Sequence, residues 1–256
     1  MRTMQFIRLT DLDDPIIDKI CNVLKNAYSN ALSVFFIYRD PNYKHYLCGM
    51  IERPDVYVFY VCDYLSNDLT GFVLLEVEKN VVYLRNIIVN HHFSHYNIGS
   101  RIFYRALNII KNERNDVDML YLDAFTKNSG VIKWYLSIGM EINMYLYWYD
   151  ITDLFETSTI DTDDIDRYFS TQFVVDVNGF KKVVFNDQEI GTLIQEKYLV
   201  VKTLLTKDIL NCIKYCFFSV PLLSVCLMSN EVLNLKLIEK SAQLVVNLKT
   251  LEIKDY

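Results

Sequence analysis

Three β-prone runs lie almost back to back between residues 56 and 89, and they constrain the fold more than any other feature. They read Val-Tyr-Val-Phe-Tyr-Val-Cys-Asp (56–63), Thr-Gly-Phe-Val-Leu-Leu-Glu-Val-Glu (70–78) and Val-Val-Tyr-Leu-Arg-Asn-Ile-Ile-Val (81–89). β-Branched and aromatic side chains fit a pleated, half-buried surface. The connections, Tyr64–Leu69 and Lys79-Asn80, are too short for a helix, so the runs are read as consecutive antiparallel strands. Such a meander must bury at least one face, and its flanks supply the cover. Residues 4–10 alternate like an edge strand. Asp14-Pro15 then opens a helix with Ile16, Ile17, Ile20, Val23 and Leu24 on one face. Downstream, Ile98, Ile102, Phe103, Ala106, Ile109 and Ile110 recur at helical spacing. A strand over 117–126, a helix over 128–138 closed by Gly139 and an aromatic strand over 142–151 complete an α+β domain with a central mixed sheet.

Residues 152–169 are acidic and polar (Asp153, Glu156, Asp161, Asp163, Asp164, Asp166) and read as a linker, which gives a first domain over 1–151 and a second over 170–256. In the second, 172–177, 182–186, 190–195, 222–228 and 243–252 read as strands, and Lys207–Phe218 and 230–241 as helices. Shifting the chain by 102 positions lays 120–151 over 222–253 without a gap, strand on strand and helix on helix, so the second half reads as a smaller, degenerate copy of the first.

Composition excludes several roles. Lys plus Arg is 26 and Asp plus Glu is 32, a net charge of −6, which argues against a nucleic-acid binder that must neutralise phosphates. The chain meets Asp11, Asp13 and Asp14 before any apolar stretch builds, so no leader is expected. The longest uncharged run, Tyr215 to Asn230, is broken by Pro221 and falls short of the ~20 apolar residues of a membrane span. Six cysteines without C-x-x-C spacing, set among apolar neighbours, read as reduced core thiols of a cytoplasmic protein. His91, His92 and His95 lack a fourth ligand at sensible spacing, so no metal is expected.

The chemistry concentrates in two segments. Val89-Asn90-His91-His92-Phe93-Ser94-His95-Tyr96-Asn97-Ile98-Gly99-Ser100 is a strand, a polar loop and a glycine where a helix begins, a junction that offers backbone N–H groups and a positive helix end to an anion. Leu120-Tyr121-Leu122-Asp123-Ala124-Phe125-Thr126-Lys127-Asn128 is followed by Val131, Trp134-Tyr135 and Ser137-Ile138-Gly139-Met140. Together they resemble the patterns V-x-x-x-x-[QR]-x-x-G-x-G-[ASI] and L-x-[LV]-x-V-x-x-x-N-x-x-A-x-x-[FL]-Y-x-x-x-G-F of the GNAT N-acetyltransferase superfamily, in order and in spacing, over roughly residues 1–151. Ser94 stands where the pattern has Gln or Arg, and Asn97 where it has its first glycine. Asn tolerates left-handed backbone, so the loop can still form.

The resemblance implies an acetyl-CoA-dependent transfer of an acetyl group to a primary amine of a small molecule or peptide. It implies that Ile87, Ile88 and Val89 end a splayed central strand binding the pantetheine arm, and that Ser94, His95, Tyr96, Asn97, Ile98, Gly99 and Ser100 cradle the pyrophosphate. Asn128 would bond the CoA arm. Tyr135 would protonate the departing thiolate, as suits a phenol with an intrinsic pKa near ~10. Asp123, which precedes Tyr135 by 12 residues, is the first choice of general base, with Glu76 and Glu78 as alternatives. The shift of 102 puts Val201 on Gly99, Leu237 on Tyr135 and Ser241 on Gly139, so the second half keeps none of these positions and either walls the amine site or builds a dimer interface. The other reading left open is a non-catalytic GNAT-like module for binding CoA or a protein. The aromatic stretch Phe35, Phe36, Tyr38, Tyr43 and Tyr46 lies where the superfamily places acceptor-side helices, and reads as pocket lining or as core.

Overall fold

A computed structural model of the chain describes residues 4–28, 31–64, 66, 68–90, 97–156 and 171–251. The chain divides into two compact units that are not contiguous in sequence. Unit 1 comprises Met1–Ala27, Leu47–Met144 and Ala242–Tyr256, and unit 2 comprises Tyr28–Tyr46 and Tyr145–Ser241. The linear division at 151 and 170 therefore differs from the one the contacts draw. Residues 152–156, read as the start of a linker, form part of unit 2, where Phe155 joins its core and stacks on Phe217. Residues 157–170 lie outside the described residues.

Unit 1 begins with β1 (Met4–Arg8) and α1 (Ile16–Ala27). Asp14 starts α1 by accepting the Ile16 N–H at 2.9 Å, and Ile16, Ile17, Ile20 and Leu24 form its buried stripe. Each such aliphatic side chain contributes about 1.5–3 kcal/mol when fully buried, as an upper estimate. After α2 (Tyr43–Ile51) come β2 (Val56–Asp63), β3 (Leu69–Glu78) and β4 (Val81–Val89), antiparallel throughout. Then follow α3 (Ile98–Glu113), β5 (Met119–Phe125), α4 (Ser129–Ser137) and β6 (Glu141–Asp150), which passes into unit 2 at Tyr145. β5 runs parallel to β4. α3 buries Ile98, Ile102, Phe103, Ala106, Leu107 and Ile110. Gly71 permits its approach, because a Cβ there would stand 2.8 Å from the Ile88 carbonyl oxygen and 3.0 Å from Ile102 Cδ1. Gly139 closes α4 at φ +93°, with Gly139 N–H donating to Leu136 O and Met140 N–H to Tyr135 O, both at 3.1 Å, the paired bonds of a glycine-capped helix end.

Unit 2 opens on two 3₁₀ turns (Ala31–Phe35 and Ile37–Arg39) and continues, after α5 (Asp153–Glu156), with β7 (Thr171–Val175), β8 (Lys181–Phe185), β9 (Gln188–Ile194) and β10 (Tyr198–Val201), all antiparallel. α6 (Lys207–Ser219) leads to β11 (Ser224–Ser229), which is parallel to β10. The helix packs Ile209, Cys212, Ile213 and Cys216 against Val183, Leu193, Leu199, Val225 and Leu227. The aromatic stretch is core on this side: Phe35 meets Tyr198 edge-on, Phe36 meets Trp148, and Tyr46 meets Phe180. Asp40 accepts the Gln195 N–H at 2.9 Å, pinning a β9–β10 turn in which Gln195 and Glu196 both take left-handed backbone.

The two units thus share one connectivity: an antiparallel strand series, a helix, then a parallel strand. A single offset does not relate them, since α3 begins at Ile98 and α6 at Lys207, while β5 begins at Met119 and β11 at Ser224. The helix expected over 230–241 is absent. Lys236–Asn247 is instead one strand, β12, whose final residues belong to unit 1 between β5 and β6. Glu239, Lys240, Ala242 and Gln243 favour a helix locally, but the strand buries Glu239 and Ser241 and then, with its phase shifted by one, Ala242, Leu244 and Val246, and ladders to partners distant in sequence override local preference. β10, four residues long, was not anticipated either. Among the described residues no helix is long and apolar enough to cross a membrane.

Candidate active site

The central strands of unit 1 part from each other within the sheet. β3 pairs with β4 from Glu78–Val81 to Leu75–Leu84 and again from Leu74–Asn86 to Gly71–Val89, leaving Arg85 without a partner in the register. Such a bulge bends and over-twists its strand. On its other side β4 pairs with β5 only from Val81–Met119 to Leu84–Leu122. Beyond that point Ile87, Ile88 and Val89 remain laddered to β3 but not to β5. A wedge with backbone hydrogen-bonding groups along its arms suits an extended ligand that carries amides.

The wedge leads to the start of α3. His91–Tyr96 lie outside the described residues, and with them Ser94, His95 and Tyr96 of the expected cradle. Asn97 is described: it takes φ 53°, ψ 26°, the left-handed geometry for which the usual residue is glycine, and its side chain makes no cap hydrogen bond. The first-turn amides around Ile98, Gly99 and Ser100 are therefore not capped by that side chain, and the turn holds no acidic residue. A Cβ on Gly99 would only touch Val89 Cγ2 at 3.5 Å, so the protein's own packing does not require glycine there. A ligand approaching the backbone would.

Asp123 stands on β5, one residue beyond the last β4–β5 pair. The residue retains solvent contact, while packing around the carboxyl removes enough water to push its pKa above the usual carboxylate range, and the Arg85 charge opposes that rise. Asn128 is the exposed N-cap of α4, and its side chain makes no cap hydrogen bond. Tyr135 is 2% exposed, on α4, with its ring against Trp134 and Phe103. Glu76 is engaged twice: Oε1 accepts from Arg53 Nη2 at 2.6 Å and Oε2 from Arg85 Nε at 2.8 Å. That double pairing leaves Asp123 the better placed of the candidate bases. Glu78, at the far end of β3, is exposed.

Sequence reasoning missed Arg85. The signal was present, as the one charged residue of β4, but its meaning depends on a pairing register that only the folded sheet supplies.

No protein-family model and no curated protein matches this chain. Among solved structures it is similar to a tandem GNAT protein from the clavulanic acid biosynthesis pathway, at 10% identity and a TM-score of 0.64, over 96% of this chain and 98% of that one. It is also similar to the PaiA N-acetyltransferase of Thermoplasma acidophilum, in complex with coenzyme A, at 18% identity and a TM-score of 0.46, over 55% of this chain and 91% of that one. An IAA acetyltransferase from Bacillus cereus matches at 10% identity and a TM-score of 0.44, over 96% of this chain and 100% of that one. With wedge, helix start and duplicated connectivity in place, the fold of this chain is the tandem GNAT fold.

Proposed function

We propose that the protein is an N-acetyltransferase that moves an acetyl group from acetyl-CoA to a primary amine by direct attack, with the chemistry confined to unit 1. The wedge between β4 and β5, ending on the left-handed Asn97 whose side chain does not cap α3, carries this reading. The pantetheine arm would lie along Ile87–Val89, with Asn128 bonding its amides from α4. The pyrophosphate would meet the segment from Ser94, His95 and Tyr96 through Asn97, Ile98, Gly99 and Ser100, at the positive end of a helix of 16 residues.

The acceptor enters as an ammonium and must lose a proton before it attacks. Asp123 takes that proton, directly or through one water, and its raised pKa suits the task. The free amine nitrogen adds to the thioester carbonyl carbon, and a backbone N–H at the β4 end polarises the carbonyl oxygen. Collapse breaks the C–S bond, the amide nitrogen gives up its second proton to solvent, and Tyr135 donates its hydroxyl proton to the departing thiolate. Holding amine and thioester together supplies most of the acceleration.

The test is acetyl-CoA titration of the purified protein, followed by thiol release with a panel of amines, peptides and polyamines. At a hundredfold excess over Kd a ligand adds about 2.7 kcal/mol. At roughly 2–4 °C per kcal/mol, Tm should rise by about 5–10 °C. No shift would remove the reading. A shift without turnover by any amine would leave a CoA-binding module.

A further inference from the structure

Arg85 and Asp123 stand on opposite arms of the wedge, each the first residue past the final β4–β5 pair, Leu84 with Leu122. They carry opposite charges, yet no salt bridge joins them. Arg85 is held back instead. Its Nε and Nη2 lie 2.8 and 2.7 Å from Glu76 Oε2, and Glu76, only 13% exposed, is fixed from the other side by Arg53, itself paired with Asp55. This bracing uses one edge of the guanidinium and leaves Nη1 without a hydrogen-bond partner among the described residues. The side chain remains 49% exposed, with its charge over the Tyr83 ring at 5.0 Å. Tyr83 and Tyr121, register partners on β4 and β5, bring their rings to 5.9 Å. An anion-accepting group and a cation-accepting group thus flank one opening, over an aromatic floor, and are prevented from satisfying each other.

We propose that the acceptor is a zwitterionic amine, an amino acid or a similar compound whose reactive amino group lies a few bonds from a carboxylate, with the carboxylate held by Arg85 Nη1 and the ammonium by Asp123. This rests on the reading of Asp123 as the residue that faces the acceptor. A diamine would set its second ammonium against Arg85, whereas a carboxylate meets a guanidinium in its preferred planar geometry.

Matched pairs that differ only in the carboxylate test the idea: L-lysine against cadaverine, and L-phenylalanine against phenethylamine. Wild type should favour the amino acid of each pair in kcat/KM, and Arg85→Gln should lower that preference by about 10- to 100-fold, the span of one charge-assisted hydrogen bond. Arg85→Lys should restore part of it, and Arg85→Glu should invert it. If Arg85 only braces β3 to β4, its variants will lower Tm and slow both members of each pair equally, which overturns the proposal. So does a wild type indifferent to the carboxylate. Calorimetric binding of the same pairs in the presence of CoA gives the readout without chemistry. A carboxylate preference lost in Arg85→Gln sustains the acceptor assignment even if no turnover is seen and the catalytic reading falls, and absence of that preference in binding refutes it.

Discussion

The junction from β4 to α3 and the junction from β10 to α6 have the same topology and opposite character. In unit 1, a nine-residue strand bulges at Arg85, leaves β5 after Leu84 and reaches a helix whose N-cap, Asn97, adopts left-handed backbone and caps nothing. In unit 2, the four residues of β10 all pair with β11, from Tyr198–Ser224 to Val201–Leu227, so no wedge opens. Its helix starts at Thr206, whose hydroxyl oxygen accepts the Ile209 N–H at 3.2 Å. In the proposed reading the first junction keeps its backbone groups for a ligand, whereas in the second the Thr206 side chain takes up a first-turn amide itself. A duplicated fold can keep its sheet and lose its site through strand length and one cap, which is why connectivity alone does not carry function.

The strongest way to break this contrast is at the chemistry assigned to unit 1. Tyr135→Phe removes the hydroxyl but keeps the buried ring packed on Phe103 and Trp134. General acid catalysis is typically worth ~10²–10⁴-fold, so kcat should fall by that order while acetyl-CoA affinity stays close to wild type. Stopped-flow thiol release with parallel calorimetry separates the two, and near-normal turnover would reduce Tyr135 to a core aromatic. Asp123→Asn is the companion. Because burial raises the Asp123 pKa, the wild-type rate should fall on acidification at a pH above the ordinary carboxylate value of ~3.9. In the variant that limb should vanish, with residual rate rising toward high pH as free amine accumulates. Linkage gives a second sign: a carboxyl whose folded pKa is raised stabilises the fold below its unfolded pKa and loses that contribution as pH rises through the folded value. Asp123→Asn should therefore not lower Tm at neutral pH.

The next effect lies at the helix start. Gly99→Glu places a side chain and a negative charge where the pyrophosphate would meet α3, and acetyl-CoA affinity should drop by at least about 100-fold, a cost of ~2.7 kcal/mol. A Cβ at Gly99 meets only Val89 at ordinary contact distance, so the variant should fold. Unchanged affinity in a folded Gly99→Glu protein would move the site elsewhere.

The two junctions also show what a sequence displays of its fold. The strands over 56–89 were legible nearly to the residue, because antiparallel neighbours joined by short turns are specified locally. So was the left-handed tolerance of Asn97 and the glycine that ends α4. β10 was hidden: Gln195 and Glu196 make its preceding turn in left-handed backbone without the glycine or asparagine that normally marks one. β12 was misread because its partners lie about a hundred residues away, and no local pattern reports them. The wedge itself needs a register. Asp123 and Tyr135 could be named through the family resemblance, but the burial of Tyr135, and the bracing of Arg85 by Glu76, exist only once the sheet is assembled.

The smallest effects sharpen the contrast at the two caps. Thr206→Ala removes the hydroxyl that satisfies the Ile209 N–H, and loss of such a cap costs about 1 kcal/mol, or roughly 2–4 °C in Tm. Acetyl-CoA affinity should not change, because the proposed ligand site lies at the start of α3. Asn97→Gly should act the other way round. Asn97 contributes no cap bond, so nothing is lost there, and glycine adopts its φ of 53° without strain. Glycine also frees the unfolded chain, an offset of up to about 1 kcal/mol, and the net change in Tm should stay within a degree or two. Affinity for acetyl-CoA should hold or improve, since glycine lets the phosphates approach more closely. Measured together by thermal denaturation with and without acetyl-CoA, the two variants should separate stability from binding. If Thr206→Ala weakens binding, or Asn97→Gly destabilises the protein by more than Thr206→Ala does, the division of labour between the two junctions is wrong.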